Sequence, residues 1–344
     1  MNKKDQLYSF INQVPKAELH VHLEGTIEPE MMFAIADRNG IRLKYKNIEE
    51  TTNAYQFKDL RDFLILYNEG TKILKTSQDF YDITLAYLQK SSEQNILHTE
   101  IFIDFQTYLR RGMAPEIQIE GICAAIDESK KQTGISAELI LCFLRHLGPE
   151  SAIETYEIAK KFRDKIIGFG LASTEIGYPP ELFEEVFAKA RQDGFKTVAH
   201  AGEEGPWEYV LNSIDVLQVD RIDHGNKSCQ NKELTQKIIE RQIPLTLCPL
   251  SNIKLRNVDS MENHTVKKML DENMLVTINS DDPAYFGGYV NENLIAIANT
   301  FDLQMEDIYQ LAKNSFTASF IDQTKKIEFI DKLNEFYLNQ IKLV

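Results

Sequence analysis

The chain has 344 residues, of which 52 are acidic and 38 are basic, so its formal net charge at pH 7 is −14. Because it contains no run of lysine and arginine that could follow a phosphate backbone, the composition argues against a nucleic-acid-binding protein. The N-terminal residues lack the apolar core of a signal peptide, no eighteen apolar residues run together, and the four cysteines form neither a C-x-x-C pair nor a disulfide framework. We therefore predict a cytoplasmic protein with no membrane or nucleic-acid partner.

Eight short apolar segments, in chain order, are typical of buried strands that are covered on both faces. Helical segments separate them, and the chain after residue 289 is also predicted to be helical. This alternation predicts an α/β protein of the (β/α)8 TIM barrel type, whose active site lies at the C-terminal ends of the strands. No repeat or linker interrupts the chain, so we predict a single domain over residues 1–344. The predicted strands are residues 17–24, 96–104, 137–146, 166–173, 195–203, 219–225, 243–252 and 275–282.

A long helical insertion is predicted between the first two strands, over residues 26–88, where apolar residues recur at spacings of three and four. An insertion at this end of a barrel strand often forms a lid over the site. Five side chains of the segment are candidates to cover a flat ligand, although ordinary helix packing explains them equally well. They are Tyr55, Phe57, Phe63, Leu64 and Tyr67.

Two histidines lie in the first strand, His20 and His22, and apolar residues alternate with them. Since side chains alternate along a strand, both imidazoles are on one face, about 6.6 Å apart at the usual rise per residue. Two imidazoles on one face can bind the same metal ion. The alternative is that they are polar residues on a solvated face.

The fifth strand ends in His200, which is followed by Gly202 and Glu203. The glycine allows a sharp turn, so the imidazole and the carboxyl group can point into one cavity. A single histidine at a strand end is more often structural than a ligand. Here the first strand and Asp281, directly after the last apolar run, supply partners for it.

Three imidazoles, from His20, His22 and His200, together with the Asp281 carboxylate, form a nitrogen-rich set that suits zinc better than magnesium or calcium. The remaining position would hold a water whose pKa the metal lowers, ready to attack an electrophilic carbon. We expect Glu203 to give a proton to the substrate, and His224, at the end of the sixth strand, to orient the attacking oxygen without binding the metal. The end of the fourth strand, residues 171–174, offers no group to bridge two metals, so we predict one zinc ion per chain.

Five motifs strongly resemble the adenosine and adenine deaminase family of metal-dependent amidohydrolases, in that family's order and over roughly residues 15–290. The resemblance implies zinc ligands at His20, His22, His200 and Asp281, a proton donor at Glu203, an oxygen-orienting histidine at His224, and a contact from Asp282 to a purine ring nitrogen. The motifs are Lys16-Ala-Glu-Leu-His-Val-His-Leu-Glu-Gly25, His200-Ala-Gly-Glu203, Arg221-Ile-Asp-His-Gly225, Cys248-Pro-Leu-Ser-Asn252 and Ser280-Asp-Asp-Pro283.

The reaction that the resemblance implies is hydrolytic removal of the amino group at the six position of a purine. Residues 202–206, 221–223 and 279–289 look more like the adenine deaminase branch than the nucleoside branch, which implies that adenine becomes hypoxanthine and ammonia in purine salvage. Tyr285, Phe286 or Trp207 would fill the space that a ribose needs, and Asp223 would help to close the pocket. Ala172 departs from the acidic residue that we expect there in adenine deaminases.

Three alternatives remain open at this point. The first is an adenosine deaminase, the second a deaminase of an N-alkylated adenine, and the third a non-enzymatic metal-binding relative. The first two differ from an adenine deaminase only in substrate, whereas the third predicts bound zinc without ammonia release.

Overall fold

The computed structural model describes residues 2–342, in which eight parallel strands pair in chain order. Each strand pairs with the next one along the chain, and helices connect them, so the predicted (β/α)8 barrel is confirmed. The strands are β1 Lys16–His22, β2 Ile96–Ile103, β3 Ser136–Leu144, β4 Ile166–Ala172, β5 Lys196–Ala201, β6 Arg221–His224, β7 Leu245–Leu247 and β8 Val276–Ile278.

The helices lie between these strands and at both ends of the described chain. The predicted insertion after β1 contains α2 to α5, and the helical C-terminal extension contains α16 and α17. The α-helices are α1 Lys3–Gln13, α2 Pro29–Arg38, α3 Ile48–Asn53, α4 Leu60–Gly70, α5 Ser77–Glu93, α6 Gln106–Leu109, α7 Pro115–Thr133, α8 Gly148–Ala159, α9 Glu184–Gln192, α10 Trp207–Asp215, α11 Lys232–Arg241, α12 Pro249–Lys254, α13 Val266–Asp271, α14 Pro283–Phe286, α15 Val290–Phe301, α16 Met305–Ala318 and α17 Gln323–Ile341.

Backbone contacts between the ends of β1 and β8 close the barrel. Val21 forms a parallel bridge with Asp281, the His22 N–H donates to the Asp281 carbonyl at 2.9 Å, and the Asp281 N–H donates to the His20 carbonyl at 3.1 Å. These bonds lie at the C-terminal ends of the two strands. The closure therefore brings the two histidines of β1 beside the aspartate that follows β8.

At the opposite end of the barrel, side chains of α16 complete the hydrogen bonding of the same two strands. The Ser315 hydroxyl accepts from the Ala17 N–H at 2.8 Å, and the Asn314 amide donates to the Val276 carbonyl at 2.9 Å. Buried backbone groups must find partners. The C-terminal extension is thus part of how the barrel closes.

The last two strands are shorter than the predicted segments, residues 243–252 and 275–282. Each is followed closely by a proline, Pro249 or Pro283, at the first position of a short helix. Proline lacks the N–H that a strand ladder needs, and its fixed φ suits the start of a helix. The predicted segments therefore extend past both strands, into the start of a short helix after β7 and into the polar residues 279–282 after β8.

No helix of residues 2–342 is long and apolar enough to cross a membrane.

Candidate active site

A cavity of about 730 Å³ opens at the C-terminal ends of the strands. Every site residue that the sequence predicted lies at this end. Its wall includes His22, His200, Glu203, His224, Asp281 and Asp282, and His20 is fully buried beside Asp281.

The side chains of β1, β5 and residue 281 converge on one point. Asp281 Oδ1 lies 3.2 Å from His20 Nε2 and 3.4 Å from His22 Nε2, and His22 Nε2 lies 3.2 Å from His200 Nε2. His20 Nε2 is buried without a hydrogen-bond partner among the described residues, which would be costly unless a ligand binds it. Nitrogen and carboxylate donors at this spacing fit a metal ion such as zinc.

Proximity alone defines two overlapping groups of metal-ligating residues. One comprises His20, His200, His224 and Asp281, and the other comprises His22, Asp281 and Asp282. The predicted ligand set draws on both groups and leaves out His224. Hydrogen bonding behind the rings distinguishes His20 and His200 from His224.

Asp223 lies behind the rings of His20 and His200. The Thr246 hydroxyl donates to Asp223 Oδ1 at 3.0 Å, so it accepts from His20 Nδ1 at 2.9 Å. His200 Nδ1 lies 3.6 Å from Asp223 Oδ2. Both rings are therefore held with Nδ1 toward Asp223 and with Nε2 toward the metal position.

The expectation that Asp223 helps to close the substrate pocket is wrong. Its side chain is fully buried inside the barrel and is not part of the cavity wall. The reason is strand alternation: His224 points to the cavity rim in a backbone conformation with φ of 64°, while Asp223 points inward beneath the histidines.

Glu203 follows β5 after a turn at Gly202, whose φ is 69° as expected for a residue that reverses the chain sharply. Burial, followed by repulsion from Asp281 and Glu175, raises the pKa of Glu203 well above its usual value. The Asn257 amide donates to its Oε1 at 3.0 Å, and its Oε2 lies 3.6 Å from His224 Nε2. A raised pKa brings a carboxyl group closer to the range in which it can act as a general acid.

Two buried residues that the sequence reasoning missed hold the loop that carries Glu203. The Glu175 carboxylate accepts the backbone N–H groups of residues 202, 203 and 204 at 2.9, 2.8 and 3.1 Å. The Arg145 guanidinium lies 4.0 Å from Glu175 and donates to the His200 carbonyl at 2.6 Å. The sequence signal that could have identified these two residues is their position, since Arg145 directly follows β3 and Glu175 closely follows β4.

Asp282 is buried in the cavity wall, and its Oδ1 has no hydrogen-bond partner among residues 2–342. Burial and the neighbouring Asp281 raise the pKa of Asp282 well above its usual value. A Cβ atom on Gly25 would lie 2.1 Å from this Oδ1, so only glycine fits there. This oxygen is therefore packed closely against Gly25 and has no hydrogen-bond partner among the described residues.

Helix α4 supplies the apolar wall, since Phe63, Leu64 and Tyr67 line the cavity. The other expected aromatic residues do not: Tyr55, Phe57 and Trp207 lie outside the wall, and Tyr285 and Phe286 pack behind Phe63, with ring centroids 5.5 and 4.8 Å from it. The aromatic stretch after Asp282 therefore packs against the insertion and is not part of the cavity wall.

Glu24 and Asp104 form an acidic part of the wall that the sequence reasoning did not single out. Glu24 accepts from the Tyr108 hydroxyl at 2.7 Å and from the Tyr67 hydroxyl at 3.3 Å. Burial, followed by repulsion from Asp104, raises the pKa of Glu24 to about 7. Ala172 lies in the same wall.

Comparison with known proteins gives concordant results. A family model described as adenosine deaminase matches residues 15–336. The chain is 50% identical over 325 residues to a protein of Acinetobacter baylyi named adenine deaminase, covering 94% of this chain and 98% of that protein. The crystal structure of adenine deaminase from Arthrobacter aurescens is 41% identical, with a TM-score of 0.92, covering 94% of this chain and 99% of that one. An amidohydrolase structure from Burkholderia ambifaria with bound zinc is 27% identical, with a TM-score of 0.89, covering 99% of this chain and 96% of that one.

Proposed function

The chain belongs to the adenosine deaminase family, and we propose on that basis that it is an adenine deaminase, which hydrolyses adenine to hypoxanthine and ammonia. The observation that carries the proposal is the convergence, in one cavity, of a metal-binding cluster, the buried Glu203 carboxyl group, whose pKa is raised, and the unpartnered Asp282. Relatives named adenine deaminase that are about half identical over nearly their whole length support adenine as the substrate.

We propose that His20, His22, His200 and Asp281 hold one zinc ion per chain. The bound zinc in the Burkholderia ambifaria amidohydrolase supports this choice of metal. When bound, zinc supplies Lewis acidity to the water that attacks the purine. The Ser251 hydroxyl donates to Asp281 Oδ2 at 2.6 Å, which fixes the orientation of this carboxylate.

The overall reaction consumes water, whose oxygen is added to the amino-bearing carbon while the amino group leaves as ammonia. Glu203 gives its proton to the adjacent ring nitrogen, which makes that carbon more electrophilic. Asp281 accepts the proton of the attacking water, and His224, whose Nε2 lies 3.9 Å from Asp281 Oδ2, orients the oxygen. The Asp282 carboxyl group, whose pKa is raised by burial and by Asp281, contacts another ring nitrogen.

The acidic wall favours a free base over a nucleoside. Adenine has a ring N–H where adenosine carries ribose, and the Glu24 and Asp104 oxygens can accept this hydrogen. A substituted nitrogen offers no hydrogen to these carboxyl groups, and loss of such a ligand hydrogen bond can cost several orders of magnitude in discrimination.

One observation favours a second candidate, the deamination of an N-alkylated adenine. Ala172 lines the cavity with a small side chain, beside Cys142 and Ser173, where a larger acidic residue was expected. A small residue there leaves space for an alkyl group on the purine.

An ammonia-release assay over adenine, adenosine, alkylated adenines and guanine tests the proposal. We expect kcat/KM for adenine to exceed that for adenosine at least about a hundredfold. If adenosine matches or exceeds adenine, the chain is an adenosine deaminase. If only alkylated adenines react, Ala172 is the first residue to replace, by aspartate. Bound zinc without ammonia release from any purine would indicate a non-enzymatic relative.

We further propose that the enzyme works in purine salvage in the cytoplasm, with a purine base as its small-molecule partner, and that residues 1–344 form one domain.

A further inference from the structure

His264 lies outside every motif that the sequence analysis used and outside the cavity wall. It is 4% exposed and precedes α13. Its Nδ1 accepts the backbone N–H of Val266 at 3.1 Å. A backbone N–H can only donate, so Nδ1 of His264 carries no proton. Burial lowers the pKa of His264 to about 4, so the neutral ring has its proton on Nε2.

The position of this proton fixes the orientation of the Asn252 amide. His264 Nε2 lies 3.1 Å from Asn252 Oδ1 and donates to it. The other end of the amide, Nδ2, then faces His224 Nδ1 at 3.3 Å. An amide nitrogen donates only, so His224 Nδ1 is the acceptor. The neutral His224 ring must therefore carry its proton on Nε2.

The Nε2–H of His224 faces the reaction centre, 3.6 Å from Glu203 Oε2 and 3.9 Å from Asp281 Oδ2. His20 has the opposite arrangement, because its Nδ1 donates to Thr246 and leaves the Nε2 lone pair free. A lone pair can bind a metal, whereas an N–H cannot. His224 is close enough to the cluster to be a ligand, but its tautomer makes it a donor.

We propose that His264 is a positioning residue that, through Asn252, holds His224 as the Nε2–H tautomer, so that His224 donates a hydrogen bond to the attacking oxygen and does not bind the metal. The activity measurements below rest on the proposed function, whereas the tautomer measurement does not. The series of hydrogen bonds from Val266 to His224 begins at a backbone N–H, which can act only as a donor.

Long-range proton–nitrogen NMR spectra of the zinc-loaded protein with ¹⁵N-labelled histidine measure the tautomer of each ring. We expect His224 to be the Nε2–H tautomer. Its signals are assigned as those that disappear from the spectrum of His224→Gln. In Asn252→Asp the carboxylate can only accept, so His224 should change to Nδ1–H. A wild-type spectrum with His224 protonated at Nδ1, or an unchanged tautomer in Asn252→Asp, would overturn the proposal. The wild-type measurement decides even if the variant fails to fold.

Steady-state kinetics give the second readout. His264→Ala should lower kcat about 10–100-fold, as loss of a supporting hydrogen bond commonly does, with KM and zinc content unchanged. His264→Gln keeps a donor for Asn252 and should recover most of the loss. Gln118→Ala removes an equally buried polar side chain in α7 and is the matched control. Equal kcat in the His264→Ala and Gln118→Ala variants would refute the positioning role. If the wild type releases no ammonia, the proposed function fails, while the spectra still test the tautomer.

Discussion

His200 Nδ1 lies 3.6 Å from Asp223 Oδ2, and neither atom has another hydrogen-bond partner among residues 2–342. An imidazole that binds a metal through Nε2 carries its proton on Nδ1, where a carboxylate can accept it. Asp223 is in turn 3.5 Å from Arg221 Nε, and Arg221 pairs with the buried Glu100. The metal cluster is thus connected to charged residues deep in the barrel.

Asp223→Asn is expected to weaken zinc affinity about 10–100-fold, because an amide is a poorer acceptor for His200 and can turn its N–H groups toward the ring. Competition with a chelator measures the affinity. Asp79→Asn is the control, because it changes an equally buried aspartate in α5 whose hydrogen bonds go to Asn39 and the Thr76 N–H and not to the site histidines. It should reduce stability but not zinc affinity. Equal zinc affinities in wild type and Asp223→Asn would show that Asp223 does not support the cluster.

Glu203→Gln keeps the shape of the side chain and leaves the four proposed ligands in place. Turnover should fall by about two or more orders of magnitude, because the general acid is lost, while zinc stays near one per chain. Ammonia release and metal analysis are the measurements. Glu208→Gln, an exposed change in α10, serves as the control and should retain activity. If Glu203→Gln keeps more than about a tenth of wild-type turnover, the proton comes from another group.

His22→Ala and His224→Ala should differ in metal content. The first removes a proposed ligand and should lose most of the zinc. The second removes an orienting donor and should retain zinc but be nearly inactive. Metal analysis of the two purified proteins distinguishes them, and similar zinc loss in both would make His224 a ligand.

Glu24→Gln is expected to change how stability depends on pH. The folded pKa of Glu24, about 7, is raised from 4.5 by burial and by Asp104, so the folded state binds more protons than the unfolded state between these values. The carboxyl group therefore favours the folded state least at high pH. The variant should gain about 2 kcal/mol more in unfolding free energy at pH 8 than at pH 5, at about 1.4 kcal/mol per pKa unit. Urea unfolding at both pH values measures this, and equal gains at pH 5 and pH 8 would contradict the raised pKa.

Much of the fold was predictable because each strand and helix carries its own local pattern. The apolar runs of β1 and β5 are short, and the segments between them have helical periodicity. Alternation along β1 placed His20 and His22 on one face, and the closure at Asp281 brings the predicted metal ligands together. The ends of β7 and β8 were less predictable, because short helices that begin at Pro249 and Pro283 follow these strands closely.

The sequence alone determined the order of the strands, the residues at their C-terminal ends and the resemblance to a deaminase family, since these depend on neighbours along the chain. Only the tertiary structure decided the direction of Asp223, the support of Glu203 by Glu175, and the contact of His264 with Asn252. It also decided that α4, and not the stretch after Asp282, covers the cavity. The physical reason is that burial and hydrogen bonding depend on atoms brought together from distant parts of the chain, and no local pattern encodes which partner a buried side chain meets.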